Sequence, residues 1–318
     1  MSGRVLLTGG TGFVGANLAR RLLATGHEVH LLVRPEYDAW RLAGIASDVR
    51  LHVVDFADAP ALTRTVAALE PRWAFHLAAH GAYSWQQDTE QIVRTNFVGT
   101  VNLVQSCLAA GVEAFINTGS SSEYGPQDHA PTETEALDPN SCYAVTKAAA
   151  TMFCRHVARS EGKNLITLRL YSAYGAYEDP RRLIPRLVAE GLEGRLPPLV
   201  NPQIARDFVH VEDVCDAYLA ALQPGLSPGA VYNVGTGVQT TVGEAVAVAQ
   251  RVLGLQVEPQ WGSMPDRGWD TSIWVADSTR ARTELGWTPR WDFETGFRQT
   301  VAWLQAHPEL RDRYRQPR

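Results

Sequence analysis

Residues 4–26 read RVLLTGGTGFVGANLARRLLATG, and the fold follows from how this stretch is parsed. The aliphatic run RVLLT has the look of a buried strand. It ends in three spaced glycines, Gly9, Gly12 and Gly15, and FVGANLARRLLATG then takes up a helical period. Gly9 permits a tight turn out of the strand. Gly12 lets backbone N–H groups approach a pyrophosphate at the positive end of the helix, and Gly15 lets helix and strand pack closely. Thr11, Phe13 and Val14 fill the turn and the first helical positions, so they belong to the same candidate dinucleotide cradle. A glycine turn that holds no ligand has the same spacing; position on the first strand of a βαβ series favours the ligand.

That series continues. Aliphatic runs EVHLLV, VRLHVVD, WAFHLAA, EAFINTG and LITLRLY alternate with helical periods at 13–25, near 38–44, 60–70, 87–110 and 141–161. Strands that are apolar nearly throughout belong in a parallel sheet covered on both faces. The expected fold class is therefore α/β, a doubly wound Rossmann-like parallel sheet. Past about residue 175 the alternation loosens, prolines cluster (Pro180, Pro185, Pro197, Pro198, Pro202), and six of the nine tryptophans follow residue 260. Residues 1–175 are thus expected to form the dinucleotide-binding lobe and 176–318 a smaller α/β substrate lobe, with a late strand or helix returning to the first.

Composition narrows the function. A chain of 318 residues with 45% hydrophobic and 20% charged residues and a net charge of -5 can build a large core and carries no basic footprint for nucleic acid. No apolar run is long enough to span a bilayer, and the N-terminus lacks signal-peptide character, so no membrane association and a cytoplasmic location are expected. Cys107, Cys142, Cys154 and Cys215 lie far apart without ligand spacing, which points to reduced thiols and no metal.

Arg34, at the end of the second strand in HLLVRP, stands where an acidic residue would accept from a ribose 2′-OH. A guanidinium suits a 2′-phosphate, so NADP is favoured over NAD. Asp55, followed by Phe56 after the third strand, either approaches the adenine amino group or caps the next helix.

The motifs TGGTGFVG, HLAA (76–79), GSSSEYG (119–125), YAVTK (143–147), RDFVHVEDV (206–214) and LGWTP (285–289) occur in this order. Together they resemble the extended short-chain dehydrogenase/reductases that modify nucleotide-sugars. The resemblance implies a nicotinamide cofactor on the sheet lobe, contacted also by Ala78 and Ala79. It implies a nucleoside-diphosphate sugar on the C-terminal lobe, and chemistry carried by a Ser/Thr, a Tyr and a Lys.

Tyr143 and Lys147 lie one helical turn apart. A phenol is a poor base at neutral pH, but a nearby ammonium and a positive nicotinamide favour its phenolate, and the lysine is also placed to hold the nicotinamide ribose. Tyr143 would then exchange a proton with a sugar oxygen during hydride transfer. Ser120 is the first choice for the hydroxyl bonded to that oxygen, with Ser121 second; either also fits a plain turn serine. Ser122 occupies the place of the acid that family dehydratases carry after this hydroxyl, and Glu123 stands where they have an aliphatic residue. Reduction of a 4-keto-6-deoxyhexose is the leading expectation, with C4 epimerisation by transient oxidation as the alternative. A dehydratase or a non-catalytic dinucleotide sensor ranks lower.

Arg206 and Arg267 are the expected diphosphate ligands, with Asp207, His210 and Asp213 near the first. Asp207 fits an ordinary ion pair equally well. Ser172 in RLYSAYG replaces the asparagine of relatives, and Arg181 and Arg182 are further candidates for the diphosphate, though a solvated pair is the preferred reading. The helices at 87–110 and 141–161 correspond to those through which family members dimerise, so a homodimer is expected.

Overall fold

The computed structural model describes residues 3–83, 85–264 and 271–315. Strands β1 (Arg4–Thr8), β2 (Glu28–Val33), β3 (Arg50–Val53), β4 (Trp73–His76), β5 (Ala114–Ser120) and β6 (Leu165–Leu170) alternate with helices α1 (Phe13–Ala24), α2 (Ala59–Leu69), α3 (Thr89–Val93), α4 (Gly99–Ala109) and α5 (Cys142–Glu161). Later in the chain come β7 (Ser172–Tyr174), α6 (Leu183–Gly191), β8 (Ala205–Arg206), β9 (Phe208–His210), α7 (Val211–Ala220), β10 (Val231–Val234), β11 (Thr240–Thr241), α8 (Val242–Leu253), α9 (Thr279–Leu285), α10 (Phe293–Ala306) and α11 (Arg311–Arg315). Among the described residues one seven-stranded sheet has the order β10-β6-β5-β4-β1-β2-β3, and every pairing in it is parallel.

The apolar strands follow from two-sided burial. Along β1, Val5 and Leu7 join a cluster with Leu18 and Leu22 of α1 and Val214 and Tyr218 of α7. Leu6, between them, points the other way, into Leu62 and Val66 of α2 and Leu103 and Val104 of α4. Alternation by two residues thus feeds two cores, and no polar face remains to be solvated.

A third cluster unites Tyr174, Ile184, Leu187 and Val188 with Val246 of α8, Phe297 and Val301 of α10 and Tyr314 of α11. The chain crosses between this cluster and the sheet more than once, because β10 docks on β6 with Val234 opposite Leu170. Two small pairings, β7 with β9 and β8 with β11, flank the crossing.

Two helical expectations are corrected. The segment near 38–44 is one 3₁₀ turn, Trp40–Leu42. The segment at 87–110 is broken into α3 and α4 by a π-helical turn, Arg94–Val98. The wider turn has a polar reason: the Asn96 side chain turns inward, accepts from the His80 backbone N–H at 2.8 Å, and donates to the His80 carbonyl at 2.8 Å and to Thr146 Oγ1 at 3.0 Å.

All four cysteines are unpaired, and three of them are buried. Among the described residues no helix is long and apolar enough to cross a membrane, and no group of three or more His, Cys, Asp or Glu side chains could hold a metal ion.

Candidate active site

The candidate residues of the sheet fall at one edge. Parallel strands put all their carboxyl ends on the same side, and Thr8, Arg34, Asp55, His76 and Ser120 end or directly follow β1 to β5 there. The order reverses between β1 and β4, where an open α/β sheet leaves its crevice.

The glycine turn is as tight as its spacing requires. Gly9 has φ +70°, and a Cβ on it would lie 2.6 Å from the Leu77 carbonyl carbon and 2.7 Å from the Ala78 nitrogen. On Gly15 a Cβ would come within 2.1 Å of the Gly9 carbonyl oxygen. Gly12 is the N-cap of α1 and brings no side chain to it, so the first-turn N–H groups are left to a ligand. Beneath the turn the Thr8 hydroxyl accepts from the N–H groups of Leu77 and Ala78, both at 3.1 Å, and meets His76 Nδ1 at 2.7 Å. His76 Nε2 reaches Thr100 Oγ1 at 2.8 Å, and Thr100 donates onward to the Asn96 carbonyl at 2.6 Å. That chain of donors fixes the imidazole neutral with its proton on Nε2, and burial pushes its pKa down to about 3. A cradle closed to Cβ atoms and an uncapped helix end fit the pyrophosphate of a dinucleotide.

Thr11, Phe13 and Val14 are half-buried around this turn, and Ala79 is exposed at its rim. Arg34 is exposed beyond β2, close enough for its charge to lower the His80 pKa, after burial. Asp55 accepts from the Ala57 N–H at 2.9 Å and pairs with Arg94 at 2.8 Å. The cap of α2 is Asp58, which corrects the capping alternative for Asp55. Phe56 lies with its ring 6.2 Å from that of His76 and gives its carbonyl to Asn102.

Tyr143 and Lys147 project from the first turns of α5, capped by the Ser141 hydroxyl on the Ala144 N–H at 3.1 Å. The Ser120 side chain lies near enough to the Tyr143 phenol to lower its pKa, against burial. Ser120 caps the following 3₁₀ turn, accepting from the Ser122 N–H at 3.2 Å. Ser121 is instead engaged from the far half of the chain, its hydroxyl accepting from Trp274 Nε1 at 3.2 Å. Ser122 is half-buried on the same turn.

Burial dominates the protonation of this pair. Burial pushes the phenol up to about 12, outweighing the lowering effect of the Ser120 side chain. Burial also pushes the Lys147 ammonium down to about 8, with the Glu123 charge opposing. Without a bound cation the phenol is therefore held in its acid form at neutral pH.

In the second half of the chain, Asp207 makes no ion pair among the described residues but accepts from the N–H groups of Thr236 at 2.7 Å, Gly237 at 2.9 Å and Ala276 at 3.0 Å. It fastens the loop after β10 to the crossing segment. Arg206 gives Nη1 to the Ala205 carbonyl and lies 5.3 Å from the Trp274 ring. Ser172 donates its backbone N–H to the Asp207 carbonyl at 3.0 Å. Arg267 lies outside the described residues. Arg181 and Arg182 are not a solvated pair: Arg181 grips Asp179 through two bonds of 3.0 and 2.9 Å and stacks at 3.6 Å on Trp85, and Arg182 is 3.6 Å from Glu178.

A family model described as the NAD dependent epimerase/dehydratase family matches residues 5–235. The chain belongs to that family. A dTDP-glucose 4,6-dehydratase from Streptomyces griseus is 31% identical, over 96% of this chain and 95% of its own length. Among solved structures, a UDP-glucose 4-epimerase with UDP-glucose from Thermotoga maritima is 26% identical with a TM-score of 0.87, covering 96% of this chain and 99% of that one. A Thermus thermophilus UDP-glucose 4-epimerase in complex with NAD is 28% identical with a TM-score of 0.84, covering 95% and 99%.

The contacts of several residues of this epimerase/dehydratase chain could not be read from its motifs. Glu123 and Arg169 form a fully buried ion pair at 2.8 Å, and Arg169 donates to Tyr124 Oη at 2.8 Å, which donates to Asn233 at 2.8 Å. Asn96, His76 and Trp274 also reach the site. The one local signal for Glu123 was the S-x-x-E spacing of a capping box with Ser120.

Proposed function

We propose that the chain interconverts the C4 epimers of a nucleoside-diphosphate hexose by transient oxidation. What carries the proposal is the placement of Ser120 near Tyr143, with Lys147 one turn on along α5, and no second free acid in the loop: Glu123, its one carboxylate, is engaged by Ser120, Thr151 and Arg169. Elimination of water needs a base at C5 and an acid at C6, and neither Ser121 nor Ser122 supplies one. The dehydratase reading is therefore the weaker, although the Streptomyces griseus relative is a dehydratase.

Gly9, Thr11, Gly12, Phe13, Val14 and Gly15 would hold the pyrophosphate of a nicotinamide dinucleotide, and Arg34, Asp55, Phe56, Ala78 and Ala79 its adenosine side and rim. When bound, the cofactor supplies the acceptor and donor of hydride. Tyr143 Oη takes the proton of the sugar hydroxyl and gives it back, Ser120 Oγ aligns that oxygen, and Lys147 Nζ holds the ribose and favours the phenolate. Residues 1–175 would form the cofactor lobe and 176–318 the substrate lobe, in which Arg206 and Arg267 grip the diphosphate and Ser122 and Ser172 contact the sugar. Exposed Val93, Val98, Val145 and Met152, on α3, α5 and the turn between α3 and α4, support a homodimer through that flank. Light scattering that finds only monomer at micromolar concentration refutes it.

Reduction of a nucleoside-diphosphate 4-keto-6-deoxyhexose by NADPH is the second reading, favoured by the exposed Arg34 after β2. One cuvette separates the two. An epimerase interconverts nucleotide-hexoses with no net change in nicotinamide absorbance, whereas a reductase consumes NADPH in proportion to the keto-sugar. Release of water from an unmodified nucleotide-hexose refutes both.

A further inference from the structure

Glu123 is an odd residue to find under a catalytic loop. It is fully buried, and each of its oxygens has a partner: Oε1 accepts from the Ser120 N–H at 2.8 Å and from Thr151 Oγ1 at 3.0 Å, and Oε2 accepts from Arg169 Nε at 2.8 Å. The space for it is built into β5. A Cβ on Gly119 would lie 2.7 Å from Glu123 Oε1 and 3.0 Å from Arg169 Cγ, so a glycine is required where the ion pair passes under the strand.

The pair has an orientation. Its negative end faces Ser120 and Thr151 of α5, the helix that carries Tyr143 and Lys147. Its positive end is turned away, Arg169 Nη1 donating to Tyr124 Oη at 2.8 Å with the guanidinium 4.6 Å from that ring. A pair of zero net charge thus presents a negative pole to the catalytic helix. Lys147 is itself buried and makes no side-chain hydrogen bond among the described residues, so the uncompensated ammonium depends on a nearby anion.

We propose that Glu123 is a positioning residue of this site, a buried counter-ion that anchors the backbone of Ser120 through one oxygen and keeps the Lys147 ammonium charged. The proposal rests on the reading that Ser120, Tyr143 and Lys147 are the reacting set. The groups whose charge bears on Lys147 and Glu123 are Tyr143 and Cys154 of α5, Arg169 of β6 and His76 of β4. The geometry that ties Glu123 to Lys147 runs through Thr151, which lies one helical turn beyond Lys147 on α5 and donates to Glu123 Oε1 at 3.0 Å.

The chain contains only two lysines, Lys147 and Lys163, and Lys163 is exposed just past α5. Protein labelled with ¹³Cε-lysine therefore gives two resonances, one from the site and one internal control. In Glu123→Gln the Lys147 titration midpoint is expected to fall by about one unit or more, the scale for loss of a close opposite charge, with Lys163 unmoved. Gln keeps the acceptor for the Ser120 N–H but strands a buried guanidinium, so the double variant Glu123→Gln/Arg169→Met is measured beside it and should shift Lys147 the same way. A Lys147 midpoint in the double variant that coincides with the parent overturns the proposal, whatever the variants do to stability. The titration needs no substrate. A shifted lysine in a protein that turns over no nucleotide-sugar would overturn the proposed function and leave this inference standing.

Discussion

Gly15→Ala tests the cradle most directly, because the usual effect of this substitution has the opposite sign. Inside a helix, alanine is favoured over glycine by about 0.5–1 kcal/mol. Here the new Cβ would sit 2.1 Å from the Gly9 carbonyl oxygen, 2.7 Å from the Gly9 carbonyl carbon and 3.0 Å from Gly10 Cα. All three are backbone atoms, so no side chain can swing aside, and the turn must open by more than an ångström to reach ordinary contact. Overpacking costs roughly 1–3 kcal/mol, and a contact this short with rigid backbone belongs to the upper part of that range, about 2–3 kcal/mol, which leaves a net loss of about 1–2 kcal/mol after helix propensity is returned. Dinucleotide binding must close the turn again against that strain, so the Kd for NAD should rise by about five- to thirtyfold. The control is Gly26→Ala at the other end of the same segment. Gly26 has φ +82° with nothing within 4 Å, so alanine there meets left-handed strain of roughly 1–2 kcal/mol but no neighbour. Fluorescence titration with NAD and thermal melts of both variants give the comparison. Gly15→Ala binding NAD as tightly as the parent, or Gly26→Ala weakening it equally, would show that the turn is not the cofactor cradle.

Tyr143→Phe should leave cofactor affinity nearly unchanged and lower kcat by roughly a hundredfold or more, while Lys147→Ala damages both; unchanged turnover in the first removes Tyr143 from the chemistry. Arg34→Asp should shift cofactor preference from NADPH towards NADH in paired titrations, and a parent that already prefers NADH refutes the role given to Arg34. Glu178 is buried with Oε2 unpartnered, and burial lifts its pKa to about 8. The folded state therefore keeps a proton that the unfolded chain loses near pH 4.3, and the stability this provides is lost as pH rises towards 8. Glu178→Gln should accordingly gain Tm relative to the parent between pH 5 and pH 8 in scanning calorimetry, and parallel pH profiles would contradict this.

The sheet and the edge at which the candidate residues gather were legible because their causes are local or repetitive. Apolar runs such as RVLLT and EVHLLV report two-sided burial wherever they occur, and parallel strands sort their carboxyl ends to one side without knowledge of any contact. The broken helix at 87–110 was not legible, because the π-helical turn exists to aim Asn96 at His80 and Thr146, the latter 50 residues away. For the same reason Asp55 was open between two roles that Asp58, three residues on, decided for the helix.

The amino-acid sequence by itself determined what depends on neighbours a few residues apart: the glycine turn into α1, the Tyr143/Lys147 spacing on one helix face, and the serine caps that shape the loop at Ser120. Only the tertiary structure decided what those groups meet. Glu123 finds Arg169 from 46 residues away, and Ser121 finds Trp274 from 153. It also decided the resting charge. The Tyr/Lys spacing sets an ammonium one turn from the phenol, but how far burial raises Tyr143, to about 12, and lowers Lys147, to about 8, is a matter of the folded surroundings. Desolvation depends on how much protein closes around a group, and no spacing along the chain records that.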